Sequence, residues 1–106
     1  MFTRSVSMHL KPNNVAEFTR TIENDIIPLL RKQKGFQDEV TLVAPEGLTA
    51  IGISFWDHRE DAEAYSRTAY SEVQKALAKV IEGNPQVQTH DVYNSTFHKI
   101  AARAAA

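Results

Sequence analysis

The chain of 106 residues contains no cysteine, and its formal net charge at pH 7 is only -1. The absence of cysteine excludes disulfides, thiolate nucleophiles, iron–sulfur clusters and thiolate zinc sites, and it is typical of a protein that stays in a reducing compartment. A chain so close to neutrality has no long-range field that would attract nucleic acid or anionic lipid. The composition therefore predicts a cytoplasmic protein that does not bind nucleic acid.

Long apolar runs and glycine-rich loops are also missing. No stretch approaches the ~20 apolar residues that cross a bilayer. The first ten residues, MFTRSVSMHL, alternate in polarity instead of forming the apolar segment of a signal peptide. None of the four glycines belongs to a phosphate-binding loop. We therefore expect neither export nor membrane insertion, and no nucleotide site.

The sequence does contain regular patterns of apolar residues, which divide it into strands and helices. Apolar and polar side chains alternate with a period of two in Phe2–Leu10 and again in Gln86–Phe97, which predicts a strand at each position. Two further strands are predicted on either side of a turn that contains proline and glycine. They are Phe36–Ala44 and Leu48–Trp56.

Two amphipathic helices are predicted between these strands, because apolar residues recur there at steps of three and four. The first helix ends at Gly35, and Pro28 inside it can kink or split it. The second begins after Asp57 and continues to Gly83. A second capping pattern within it predicts a break near Thr68–Tyr70.

The resulting order, β-α-β-β-α-β, is the split βαβ pattern of ferredoxin-like α+β domains. Right-handed crossovers then give a four-stranded antiparallel sheet in the order 4-1-3-2, with both helices on one face. We expect a single domain over residues 1–98 and a C-terminal tail over residues 99–106.

The third strand indicates that both faces of this sheet are covered, because neither side of it is the polar stripe of a solvated antiparallel sheet. The chain has no third helix, so the simplest cover for the second face is another copy of the same sheet, packed as a closed two-fold dimer. A monomer with a semi-polar open face is the alternative. One side of the strand carries Thr49, Ile51, Ile53 and Phe55, and the other carries Leu48, Ala50, Gly52, Ser54 and Trp56.

Two stretches, IIPLLRKQKGFQDEVTLVAPEG (residues 26–47) and GISFWDHREDAEAY (residues 52–65), resemble the antibiotic biosynthesis monooxygenase-like (ABM) domains of the dimeric α+β barrel superfamily. The resemblance covers nearly the whole chain, but its motifs are mainly signatures of the fold. They are Pro28–Phe36, Trp56-Asp57 and Tyr65. The resemblance implies a homodimer through the sheet face, with a cavity between helices and sheet in each subunit.

Activities differ among ABM-like proteins. Some oxidise aromatic polyketides with O₂ and without metal or flavin, others degrade haem or isomerise small metabolites, and some have no known activity. The haem-degrading members use an asparagine in the first strand and a tryptophan and a histidine on the second helix. This chain has Ser5 to Ser7 in that strand and Tyr65 and Tyr70 on that helix, which disfavours haem degradation. We therefore expect no cofactor and no metal.

The candidate site residues are aromatic side chains and one histidine. Tyr70, beside the predicted helix break, can donate a hydrogen bond to a phenolic or enolate oxygen, and His9, with a pKa naturally near neutral, can take the proton of the substrate. Trp56, Tyr65 and Phe18 are candidates for binding the substrate. Packing in the core is the alternative role for the aromatic residues, and an interface position is the alternative for His9.

Arg4 can pair with a substrate anion, or with Glu39 or Asp91 across an interface. The histidines match no metal-ligand motif. These observations favour a cofactor-independent monooxygenase, or a related small enzyme, that acts on an aromatic or apolar metabolite. The alternative is a non-catalytic ligand-binding or interaction domain of the same fold. The polarity of the cavity discriminates between them, because an enzyme needs convergent polar groups around one ligand atom.

Overall fold

Four strands and two helical regions follow one another along residues 1–98, the part of the chain that the computed structural model describes. The predicted tail at residues 99–106 lies outside the described residues. The strands are β1 (Phe2–Leu10), β2 (Phe36–Val43), β3 (Thr49–Trp56) and β4 (Ile81–Asp91). The helices are α1 (Val15–Thr21), α2 (Ile27–Arg31), α3 (Arg59–Arg67) and α4 (Tyr70–Leu77), with a π-helical segment (Ile22–Ile26) between α1 and α2.

The strands form one antiparallel sheet in the order β2-β3-β1-β4. This is the predicted order 4-1-3-2 read from the opposite edge, so the predicted α+β, ferredoxin-like topology is confirmed. Val6 in the central strand β1 lies opposite Gly52 of β3 on one side and Val87 of β4 on the other.

The first helical region is split into three segments. The π-helical turn Ile22–Ile26 inserts extra backbone between α1 and α2, and Pro28 lies in the first turn of α2. Proline lacks the amide hydrogen that would continue the helical hydrogen bonding at this point, and the amide of the preceding Ile27 bonds to Ile22 O, five residues back. The split that Pro28 suggested is therefore present, and it takes the form of a π-helical segment.

The second helical region breaks between Arg67 and Tyr70, as predicted. Its predicted end at Gly83 was wrong, because α4 ends at Leu77 and β4 already begins at Ile81. Gly83 has a φ of 67°, and the pairing of β1 with β4 shifts register nearby. Glycine and proline here accompany an irregularity in an edge strand, where both are tolerated, and do not end a helix.

The side chains of β1 and β3 point alternately toward the helices and toward the opposite face of the sheet, here called the open face. Phe18 and Trp56 are completely buried in the core on the helical side. The open face is mostly apolar on β2 and β3, where Asp38 and Thr49 are polar exceptions, and polar on β1 and β4. Its apolar members are Val40, Leu42, Ile51, Ile53 and Phe55, and its polar members on β1 and β4 include Ser5, Ser7, His9, Gln86, Gln88 and His90.

The segment after β4 folds back onto one end of the open face. His98 Nε2 lies 2.6 Å from Asp38 Oδ2, and the His98 ring packs against Phe55 with 4.6 Å between ring centroids. Leu42 and Ile51 remain exposed at 49% and 38%. Within residues 1–98, no helix has the length and apolar character needed to cross a bilayer.

Candidate functional site

A cavity of about 40 Å³ lies between the sheet and the helices. The π-helical segment and α4 form its walls, and β1, β2 and β3 form its floor. Most of the lining side chains are apolar, namely Val6, Met8, Ile22, Ile26, Leu30, Val73 and Leu77. Four of the lining residues, Arg4, Glu39, Ser54 and Tyr70, have polar side chains, but the surface that faces the cavity is almost entirely apolar. A mainly apolar lining with a few polar groups is usual in small-molecule sites.

Tyr70 is the first residue of α4, and its side chain is 8% exposed. Because the chain breaks just before it, α4 starts in a direction that carries this ring onto the cavity. The Tyr70 hydroxyl is completely buried and has no hydrogen-bond partner among residues 1–98. An unpartnered buried hydroxyl costs about 1–3 kcal/mol, and such groups in native proteins call for an explanation. A water molecule or a ligand oxygen in the cavity would supply the missing partner.

Arg4 points toward the helices from β1 and is only 5% exposed. Its Cζ atom lies 3.9 Å from the centroid of the Tyr70 ring and 5.5 Å from that of Tyr65, so the guanidinium is held by cation–π contacts. No carboxylate among residues 1–98 forms an ion pair with Arg4, and in particular neither Glu39 nor Asp91 does so within the chain. A buried cation with no anionic partner is suited to an anionic ligand group.

Glu39 reaches the cavity from β2. Burial raises the pKa of this carboxyl, while a hydrogen bond donated by Thr41 Oγ1 to Glu39 Oε2, at 2.7 Å, lowers it by less. Gly52 on β3 borders the carboxylate, and a Cβ atom there would make only an ordinary van der Waals contact with Glu39 Oε2, at 3.6 Å. A carboxylate with a raised pKa is a better general base near neutral pH than an exposed one.

The pKa of Tyr65 depends on its burial and on the charges of Arg4, Tyr70 and Glu39. Its pKa rises to about 12, chiefly because of burial; the charge of Arg4 lowers it, while Tyr70 and Glu39 raise it. Tyr65 therefore stays neutral at physiological pH. Since all three groups act on it, Arg4, Glu39 and Tyr70 belong to one electrostatic environment.

The aromatic residues predicted to bind substrate lie in the core beside the cavity. Phe18, Trp56 and Tyr65 are at most 4% exposed, and none of them lines the cavity. Trp56 packs on Tyr65 with 5.0 Å between ring centroids, and its Nε1 atom donates a hydrogen bond of 2.8 Å to Ser54 Oγ. The hydrogen bond orients the Ser54 hydroxyl, so Trp56 contributes to the site by positioning a residue that lines the cavity.

His9 lies on the open face, on the opposite side of the sheet from Tyr70. Its neighbours in β1, Met8 and Leu10, are buried in the core, whereas His9 is exposed. The structure therefore does not bring the two predicted catalytic residues together. Of the predicted catalytic and substrate-binding residues only Tyr70 lines the cavity, together with Arg4, the candidate partner of a substrate anion. Residues 1–98 contain no cluster of three metal-ligating side chains.

The sheet order, the helices on one face and the cavity between them define a class of protein. The chain has the ABM-like, ferredoxin-like fold. No family model and no curated protein matches the chain. The structural matches are solved proteins of this class, at identities that establish the fold alone.

One match is a protein of Bordetella bronchiseptica provisionally assigned as an antibiotic biosynthesis monooxygenase, with a TM-score of 0.73, 15% identity, and coverage of 86% of this chain and 95% of that one. A second is the ActVA-Orf6 monooxygenase of Streptomyces coelicolor in complex with nanaomycin D, with a TM-score of 0.75, 13% identity, and coverage of 89% and 88%. A third is a Nitrosomonas europaea protein of unknown function, with a TM-score of 0.72, 14% identity, and coverage of 99% and 94%.

Proposed function

We propose that this protein is a cofactor-independent monooxygenase that acts on an aromatic metabolite bound in the cavity between helices and sheet. The observation that carries the proposal is the buried, unpartnered Tyr70 hydroxyl, which lines the same cavity as the Glu39 carboxyl. The similarity in fold to a monooxygenase solved with nanaomycin D supports an aromatic ligand.

In the proposed reaction, Glu39 removes a proton from an acidic CH₂ group of the substrate. The Tyr70 hydroxyl donates a hydrogen bond to the oxygen on which the negative charge develops, and the nearby Arg4 guanidinium stabilises that charge. The electron-rich carbanion then reacts with O₂. Overall, CH₂ and O₂ become C=O and H₂O, so the substrate supplies all the electrons and no external reductant is needed.

The cavity must widen to admit such a substrate. Its volume of about 40 Å³ holds about two or three water molecules, whereas small-molecule sites measure at least about 300 Å³. The walls are suited to widening. Ile22 and Ile26 belong to the π-helical segment, a type of turn that is frequent at functional sites, and Met8 on the floor has a flexible, unbranched side chain.

Oxygen uptake with anthrone as the probe tests the activity. We expect protein-dependent consumption of one O₂ for each anthraquinone formed, and a decrease in kcat of about 10²-fold in Glu39→Gln, because a positioned general base contributes at least that much. Glu72→Gln, which removes an exposed carboxyl of α4, is the control and should retain full activity. Product formation that is the same without protein, or in Glu39→Gln, would contradict the proposal. Aromatic binding without oxygen uptake would favour the non-catalytic alternative.

We also propose that the protein is a homodimer in which the open faces of two copies pack together. The exposed Leu42 and Ile51 in the apolar half of this face would be covered by the partner sheet, and the polar half would supply hydrogen bonds at the rim. In this arrangement His9 lies at the interface, and its predicted role as a base would require a second site there.

A further inference from the structure

Arg4 lines a second cavity as well as the first. This cavity, of about 290 Å³, lies between α3 and the edge strand β4. Phe2 and Val87 contribute its apolar surface, and Arg59, Glu63, Ser66 and Thr89 join Arg4 as its polar groups. The Arg4 side chain therefore forms part of the wall of both a small, mostly apolar cavity and a larger, more polar one.

Arg59 supplies a second guanidinium to this cavity. It is the first residue of α3, and its Cζ atom lies 5.3 Å from the centroid of the Phe2 ring. Within residues 1–98 neither Arg59 nor Arg4 forms an ion pair, although Glu63 lines the same cavity. The ring of Phe2 restrains the Arg59 guanidinium without using its N–H groups, which remain free to donate to a ligand.

The charges in this cavity favour a monoanion. Two guanidinium groups and the single carboxylate of Glu63 leave one net positive charge, which matches a carboxylate better than a doubly charged phosphate. The hydroxyls of Ser66 and Thr89 add neutral donors. Arginine is well suited to this ligand, because its planar fork of donors matches the geometry of a carboxylate.

We propose that the second cavity binds the carboxylate of an aromatic acid, with Arg4 and Arg59 as its donors, and that the ring extends past Arg4 into the first cavity when that cavity widens. The substrate class is then an aromatic carboxylic acid that also carries a hydroxyl for Tyr70. This inference rests on the proposed function for the location of the ring, while the contact with the carboxylate is tested separately.

Three probes separate the two proposals. 6-Hydroxy-2-naphthoate carries both the hydroxyl and the carboxylate. In 6-hydroxy-2-naphthamide a neutral amide replaces the carboxylate, and 2-naphthol carries the hydroxyl alone. Affinities are measured by fluorescence titration at constant ionic strength for the wild-type chain, for Arg59→Gln and for Arg67→Gln. Arg67 lies on the same helix and lines neither cavity, so its substitution changes the net charge equally.

We expect the wild-type chain to bind the naphthoate at least about tenfold more tightly than the naphthamide, which is the usual worth of one charge-assisted hydrogen bond. Arg59→Gln should abolish this preference and leave the affinity for 2-naphthol unchanged, whereas Arg67→Gln should retain the preference. The inference would be overturned if the wild-type chain bound naphthoate and naphthamide with equal affinity, or if the preference survived in Arg59→Gln. In either case, binding of 2-naphthol would still support the proposed function. Failure of 2-naphthol to bind, with a preference for naphthoate that depends on Arg59, would overturn the location of the ring and leave only the anion site.

Discussion

Replacement of Tyr70 by phenylalanine should separate stability from function. The substitution removes the one buried side-chain oxygen without a partner among residues 1–98 and keeps the ring that Arg4 contacts. Desolvation of an unpartnered hydroxyl costs about 1–3 kcal/mol. Since the cavity has room for water, which can recover part of this cost, we expect Tyr70→Phe to raise the free energy of unfolding by up to about 1 kcal/mol. The corresponding rise in Tm is about 4 °C for a domain of this size.

Urea unfolding followed by the fluorescence of Trp56, the single tryptophan, measures this change directly. The same substitution at Tyr65 is the control, because it removes no unpartnered buried oxygen and should not stabilise the protein. Tyr70→Phe should at the same time lose affinity for phenolic ligands. A loss of 1 kcal/mol or more of stability in Tyr70→Phe would refute the reasoning, because it would show that the hydroxyl is already satisfied in the ligand-free protein.

Three further predictions concern the interface, the carboxyl in the cavity and a turn. Leu42→Glu on the open face should convert the proposed dimer to a monomer in native mass spectrometry, whereas Leu48→Glu, in the turn and about equally exposed, should not; a dimer that survives both changes would contradict the interface. Because burial raises the pKa of Glu39, the folded state keeps that proton to a higher pH, so stability should fall as the pH rises from the ordinary pKa of glutamate through the raised one. Urea unfolding between about pH 4 and 7 should show this decrease reduced in Glu39→Gln, and an unchanged profile would contradict the raised pKa. Gly35→Ala should destabilise the protein by more than about 1 kcal/mol in the same assay, because Gly35 has a φ of 79° and an added Cβ would overlap the Asp61 carboxylate; a neutral effect would refute this reasoning.

The topology could be predicted because local patterns and the rules of chain connection agree. The alternation in β1 is regular, and the observed bounds of Phe2–Leu10 match the predicted ones. Near Gly83 the local signal was misleading. Glycine followed by asparagine and proline is typical of a helix end, and only the pairing with β1 turns it into an irregular part of β4.

The site was harder to predict because it depends on which side of each strand the helices cover. Arg4 shares the inward side of β1 with Val6 and Met8, so the alternation already contained a signal for its burial. In β2 the more apolar residues, including Val40, face outward, and Glu39 faces the cavity. The alternation in β2 predicts that its apolar side faces the helices, but that side lies on the open face.

The most direct test of the account is a crystal structure of the protein grown with 2-naphthol. The account predicts that the ring lies between the π-helical segment and α4, with the naphthol oxygen about 3 Å from Tyr70 Oη. The claim that the Tyr70 hydroxyl binds a ligand oxygen would be contradicted if 2-naphthol bound elsewhere. It would also be contradicted if the cavity contained no ligand at a saturating concentration of 2-naphthol.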